Sequence, residues 1–198
     1  MSKTDDLKEL ISEDLNDNEV ILWTGKPAGI KLLDMPYGTS VIIRWIIGLV
    51  FVVFGLWYQF VFIPSAKNPG MSGTVFMLVC FVIAAVIALM PLMEINKLKN
   101  KCAYYITNQR ALVYIKASSE KRNIKEKKYE DVSEISSDII ADSRGNIYVG
   151  AKLKNSHSKA RGYVLSPPGT DEEGKERPLI FHSVVDPEKV IAIFPSFN

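Results

Sequence analysis

The residues of this 198-residue chain with the capacity for covalent or metal chemistry are two histidines, two cysteines and scattered serines. Their spacing assembles no reactive site. His157 lies between Lys154 and Lys159, and His182 follows the apolar run Leu179-Ile180-Phe181. A metal centre needs more converging ligands than either recruits. Cys80 sits inside an apolar run and Cys102 just beyond its end, which favours neither a structural disulfide nor a metal site. Ser136, Ser137, Ser166 and Ser183 lack the Gly-x-Ser-x-Gly context of a nucleophile elbow. Gly25 to Gly29 is no phosphate loop, because the Gly-Lys-[Ser/Thr] ending is absent. The pattern predicts a non-enzymatic chain without cofactor or metal.

Cationic side chains are the other chemical signal. Arg110, at the turn Thr107-Asn108-Gln109-Arg110, is placed to meet an anion. The same residues suit a structural role, since Asn tolerates left-handed backbone and Thr and Asn hydrogen-bond turn backbones. Lys121, Arg122, Lys125, Lys127 and Lys128 cluster downstream, offset by Glu120 and Glu126. Lys152, Lys154, Lys159 and Arg161 form a second group without acids. Each such cation near an anionic membrane surface contributes roughly 1 kcal/mol. The two readings are a solvated positive face and a lipid-headgroup contact. A formal net charge of +2 excludes the strong basic footprint of a general nucleic-acid binder.

The elements that must position these groups are dominated by two apolar runs. Residues 41–93, 53 in all, contain Arg44 and Lys67 but no carboxylate. Trp45 to Ile63 and Thr74 to Met93 are uncharged. About 20 helical residues at ~1.5 Å each span a hydrocarbon core of ~30 Å. Both runs are therefore expected to cross a bilayer. The breaker-rich stretch between them, Pro64 to Gly70, forces an antiparallel hairpin. Gly48 and Gly55 share a face of the first helix, and with Ala84, Ala85 and Ala88 of the second they allow close packing. Trp45, Trp57 and Tyr58 stand at the ends of the first helix as an aromatic belt, and Arg44 is placed to snorkel. Lys31 and Arg44 before the hairpin, and Lys97, Lys99 and Lys101 after it, outnumber Lys67 in the connection. The positive-inside rule then puts both termini in the cytoplasm. No cleavable signal peptide is visible at the N-terminus.

Residues 1–40 are expected to be a cytoplasmic segment. Thr4 caps an amphipathic helix carrying Leu7, Leu10, Ile11 and Leu15, packed on the soluble domain or on a partner. Val20 to Trp23 resembles a short strand, stopped by Gly25 and Pro27. Residues 41–93 are the transmembrane hairpin, with helices over 45–63 and 74–93. Residues 94–198 read as a β-rich domain. Cys102 to Ile106 and Ala111 to Ile115 make a hairpin, and strands are expected within 132–140, 147–149 and 179–181. Asp186 and Pro187 open a final helix whose stripe is Val190, Ile191 and Phe194. Residues 154–178, rich in Pro and Gly, read as a long mobile surface loop.

Tyr104-Tyr105-Ile106-Thr107-Asn108-Gln109-Arg110-Ala111-Leu112 resembles the first hairpin of the bacterial pleckstrin-homology-like domains. Tyr129 to Ile135 is similar to that family's third strand, Arg144-Gly145-Asn146-Ile147 to its Gly-turn, and Phe181 to Val190 to its last strand and C-terminal helix. Glu19 to Pro27 resembles a segment that precedes a transmembrane pair in such proteins. The resemblance implies a transmembrane α-helical hairpin plus a bent antiparallel sheet of seven strands closed by a C-terminal helix. It implies no common activity. The expected function is a membrane-tethered interaction module at the cytoplasmic face of the cell membrane, binding a protein partner or oligomerising. The alternative is sensing or handling of anionic lipid through the basic residues.

Overall fold

The computed structural model describes residues 11–66, 72–116, 122–141, 143–154, 156–170 and 173–195. Two long helices stand on a β-rich unit. The first, α1, runs Tyr37–Ser65 and the second, α2, Gly73–Lys101. Both are longer than the uncharged runs that predict them. α1 starts earlier because Tyr37 joins the core of the β-rich unit, and α2 continues because Ile95 and Leu98 do the same. α1 passes through a π-helical turn, Tyr58–Phe62, before its last residues.

The close approach of the helices is built as the sequence implies. A Cβ at Gly55 would meet the Cβ of Cys80 at 3.0 Å, and one at Gly48 would meet the Ala84 carbonyl oxygen at 3.4 Å. Trp45 also ties the two helices together near this end. Its indole N–H donates across to the Ala88 carbonyl oxygen at 3.3 Å.

The strands form two antiparallel sheets. The first has the order β1-β2-β3-β4, from Ile21–Gly25, Cys102–Thr107, Arg110–Lys116 and Arg122–Lys128. The second has the order β5-β6-β7, from Ile135–Ala141, Arg144–Val149 and Leu179–Val185. β1 pairs antiparallel with β2 through Trp23↔Ile106 and Gly25↔Tyr104. The helical hairpin is therefore inserted between the first and second strands of one sheet, and the strand before it belongs with residues 102–128. α2 enters β2 directly, from Lys101 to Cys102.

The main core lies between the sheets and below the hairpin. Tyr104 and Phe181 stack at 4.9 Å between centroids, and Leu98, Ile147, Val164 and Val190 fill the space around them. A smaller cluster covers the other face of the first sheet, where Ile11 and Leu15 pack on Ala103, Tyr105, Leu112 and Tyr114. This double coverage explains why β2 reads as an unbroken apolar run rather than an alternating one. Leu7, Leu10 and the Thr4 cap of the expected amphipathic helix lie outside the described residues.

Three expectations need correction. Residues 154–178 hold a helix, α3, over Ser156–Leu165, with Ala160, Arg161 and Val164 buried. Its apolar face has only two residues four apart, so periodicity does not reveal it. No strand is expected over the basic cluster, yet Arg122–Lys128 is β4, paired along β3 from Arg110↔Lys128 to Lys116↔Arg122. Tyr129–Asp131, expected to open a strand, is a 3-10 turn, and β5 starts at Ile135. The last helix, α4 (Pro187–Ile191), does sit where the stripe places it. Asp186, however, does not cap it with its side chain. Its backbone is left-handed (φ 48°), and its carboxylate accepts from Lys189 Nζ at 2.7 Å.

Candidate functional site

Arg110 is consumed by the fold. Its Nε and one terminal nitrogen donate to the two Glu19 carboxylate oxygens, each at 2.9 Å. The same terminal nitrogen reaches the Asp14 carbonyl at 2.7 Å, and the other nitrogen pairs with Glu126. The Glu19 side chain is fully buried. Burial pushes its carboxyl upward, but Arg110, the Asn16 amide and the Thr107 hydroxyl overcome this and hold it below the usual carboxylate range. Asn108 completes the lock. Its Oδ1 accepts from Val20 N at 2.8 Å and its Nδ2 donates to the Asn18 carbonyl at 3.1 Å. The turn motif thus fastens the segment leading into β1 to the β2–β3 hairpin.

The other expected cations do not gather into one site. Side chains alternate along β4, so Lys125 and Lys127 share a face turned toward α3. Lys125 Nζ donates to the Tyr163 and Val164 carbonyls at 2.9 and 2.5 Å. Burial pushes its pKa down to about 8. Lys127 pairs with Glu176 at 2.8 Å. Lys128, exposed, lies 3.5 Å from Glu130. Lys152 is elsewhere, paired with Asp138 at 2.5 Å beside β5, where His157 Nδ1 also approaches that carboxylate at 3.0 Å. Lys154 is exposed. Lys121 and the Arg122 side chain lie outside the described residues.

A buried polar seam joins the segment between β1 and α1 to β6, β7 and α3. Arg144 donates to the Gly29 carbonyl at 2.6 Å and pairs with Asp34 at 3.2 Å. The Ser183 hydroxyl donates to the Ala28 carbonyl at 2.6 Å. His182 Nδ1 is 2.6 Å from Asn146 Oδ1, so it carries the proton, and Nε2 accepts from Arg161 Nε at 3.3 Å. Burial first, then the Arg161 charge, pushes the His182 pKa down to about 3.

A histidine whose folded pKa lies below its unfolded value of ~6.5 stabilises the fold fully above that pH. That contribution is lost as pH falls toward the folded value of about 3. Urea midpoints are therefore expected to fall between about pH 6.5 and pH 5, at up to ~1.4 kcal/mol per pH unit. This window lies above the range where Glu19, Asp34 and Asp138, all held low, take up protons. His182→Gln, whose amide both donates and accepts, should flatten it. An unchanged slope in that variant would assign the effect elsewhere.

Where the hairpin meets the β-rich unit, a polar cleft of about 440 Å³ opens between α1, α2 and α3. Arg44, Lys159, Arg161 and Arg177 line it, with Glu94 the one carboxylate among the described residues of its lining. Arg44 pairs with Glu94 at 3.1 Å rather than snorkelling alone. Arg161 is buried, and its hydrogen-bond partners are the His182 ring and the Lys31 and Leu32 carbonyls. Its guanidinium also lies 4.1 Å over the Tyr37 ring. Arg177 stacks over Tyr163 at 5.0 Å, and its Nε is buried without an acceptor among the described residues. Beside the cleft, an apolar groove of about 510 Å³ runs between α1 and α2, lined by residues such as Trp45, Leu49, Phe81, Ala85 and Ala88.

Sequence spacing isolates Arg44, Lys159 and Arg161 but misses Glu94 and Arg177. Glu94 is the first acid after the second apolar run, a visible signal. Arg177 carries none, because only the turn after α3 brings it back to the cleft.

Among the described residues, no group of three His, Cys, Asp or Glu is placed to hold a metal ion. No family model, curated protein or solved structure matches the chain.

Proposed function

We propose that this chain is a non-enzymatic, membrane-tethered interaction module. The two apolar helices cross a bilayer as a hairpin. Both termini and the β-rich unit, a pleckstrin-homology-like domain, lie at the cytoplasmic face, where the domain binds a protein partner or a second copy of the chain.

The observation that carries this reading is the insertion of an outwardly apolar hairpin between two adjacent strands. The most apolar windows of α1 and α2 are only 11% and 17% buried, which fits lipid contact and not a soluble core. Both helix ends are fixed to the domain, one through the Asp34–Arg144 seam and the other by direct passage of α2 into β2. A domain held this way takes the orientation of the hairpin. Seven described strands in sheets of four and three, followed by α4, support the pleckstrin-like reading. Ile139 on edge strand β5 and Val185 on β7 are exposed apolar side chains that suit a protein contact.

Alkaline carbonate should leave the full-length protein in the membrane pellet; release into the supernatant would sink the proposal. Both native cysteines are buried, so introduced thiols report cleanly. Ser72→Cys is expected to react with an impermeant thiol reagent in intact cells, and Lys154→Cys only after lysis. The reverse pattern would invert the topology.

A further inference from the structure

We infer that the small pocket between β4, the end of α3 and residues 167–180 is a site for one carboxylate group, held by Lys125 and Arg177. The site is independent of the bilayer placement proposed above.

The pocket is framed on every side by paired structure. Val113 and Lys125, partners across β3 and β4, line it from the first sheet. Tyr163 and Val164 line it from α3, and Pro168 and Arg177 from the segment that follows. That segment is closed by Arg177 N donating to the Gly169 carbonyl at 2.9 Å and by a bridge between Thr170 and Glu176. Glu176 in turn pairs with Lys127, which fastens the segment to β4. The cavity measures about 50 Å³. A water-sized group needs ~10–15 Å³ of such space, so the pocket holds roughly three to five of them. A carboxylate with its carbon has that size, and a nucleotide does not.

Two cations reach this pocket without a carboxylate of their own. Lys125 is only 8% exposed. Its ammonium donates two of its three N–H groups to the Tyr163 and Val164 carbonyls. Those acceptors are neutral, so the charge is left uncompensated. The Arg177 guanidinium lies over the Tyr163 ring, and its Nε is buried without an acceptor among the described residues. Both carboxylates in the lining are engaged, Glu126 with Arg110 and Glu176 with Lys127. Burial lowers the Lys125 pKa to about 8, and the Arg177 charge acts in the same direction. A desolvated charge without an ionic partner is costly, and an anion relieves the cost. A guanidinium N–H and the third ammonium N–H supply one charge-assisted donor for each carboxylate oxygen.

The test follows the arginine Nε–H signals of the full-length, arginine-labelled protein by NMR in a nonionic detergent. Sodium acetate replaces sodium chloride at constant ionic strength. The Arg177 signal, identified by its absence in Arg177→Gln, is expected to shift saturably. Those of Arg110 and Arg161, already donated to Glu19 and His182, should stay in place. Acetamide, of the same shape but uncharged, should leave all three unmoved. Lys125→Met should weaken acetate about tenfold or more, the worth of one hydrogen bond to a charged group. Lys128→Gln, on the same strand but exposed, should leave it unaltered. The peptide acetyl-Ala-Glu-Ala-amide, with its Gln counterpart as control, separates a protein-borne carboxylate from a free one. The Glu peptide is expected to bind at least as tightly as acetate and the Gln peptide not at all. Binding of acetate alone would keep the site and assign it to a free carboxylate.

An Arg177 signal that does not move overturns the carboxylate site and leaves the pocket to water. An equal response to acetamide, or full affinity in Lys125→Met, does the same. Should Lys125→Met not fold, urea midpoints decide the question. Acetate should raise the midpoint of the unmodified protein above that in chloride of the same ionic strength, and should not raise that of Arg177→Gln. Equal responses of the two proteins overturn the site.

Discussion

Arg110→Ala is expected to lower the stability of the full-length protein by about 3–5 kcal/mol, the range for removing one partner of a buried ion pair. The cost arises less from the lost attraction than from what remains. Glu19 would stay buried with only the Asn16 amide and the Thr107 hydroxyl to satisfy its charge. Arg110 also reaches the Asp14 carbonyl, so the segment that brings Ile11 and Leu15 onto the first sheet would lose its anchor. Urea denaturation in detergent micelles measures the effect. Glu19→Leu combined with Arg110→Met should recover part of the loss, because an apolar pair strands no charge. Acid should mimic the mutation. A carboxyl held below its usual range stabilises the fold above its unfolded pKa and stops doing so as pH falls through the folded value. A change below about 1 kcal/mol in Arg110→Ala, the worth of an exposed pair, would contradict this account. If it came with loss of lipid binding, Arg110 would be an anion ligand after all.

Local pattern carried the helical hairpin, because two uncharged runs and a breaker-rich connection admit few other solutions. It carried the β2–β3 hairpin for a similar reason: Thr107-Asn108-Gln109-Arg110 marks its own turn. What local pattern did not carry was pairing across the insertion. Nothing in Ile21–Gly25 says that its neighbour is Cys102–Thr107, on the far side of the helical pair. A fragment starting at residue 101 would consequently lack an edge strand and the partner of Arg110. α3 was hidden by its composition, since a face that buries Arg161 through carbonyls and an imidazole has no apolar signature. The basic residues of β4 misled in the opposite direction. Lys125 and Lys127 look solvated in sequence, yet one donates to carbonyls of α3 and the other to Glu176. The cleft was half legible. Its cations on α1 and α3 stood out, but their meeting depends on the hairpin being seated on the domain.

Phe194→Ala is the second change expected to have a large effect. α4 is short, a single turn and a half from Pro187 to Ile191, and contributes little stability by its own hydrogen bonds. What holds it is its buried face. Val190 and Phe194 belong to the main core, and Ile191 packs against it. The Phe194 ring lies 6.3 Å from that of Phe181, which stacks on Tyr104, and 6.0 Å from Tyr129 in an edge-on contact. Tyr129 in turn donates its hydroxyl to the Thr107 carbonyl at 3.0 Å. One ring therefore joins the last helix to β7 and to the hairpin turn that Arg110 secures. Truncating a core Phe costs about 3–5 kcal/mol, from lost transfer energy and the cavity left behind. Domains of this size have only about 5–15 kcal/mol in total. The full-length variant should therefore denature at much lower urea, or fail to fold in its β-rich part while the apolar helices persist. Lys189→Ala is the matched control on the same helix, because that side chain is exposed and pairs with Asp186 at the surface. Little change is expected there. Equally small effects of both substitutions would mean that α4 lies on the sheets without closing the core between them.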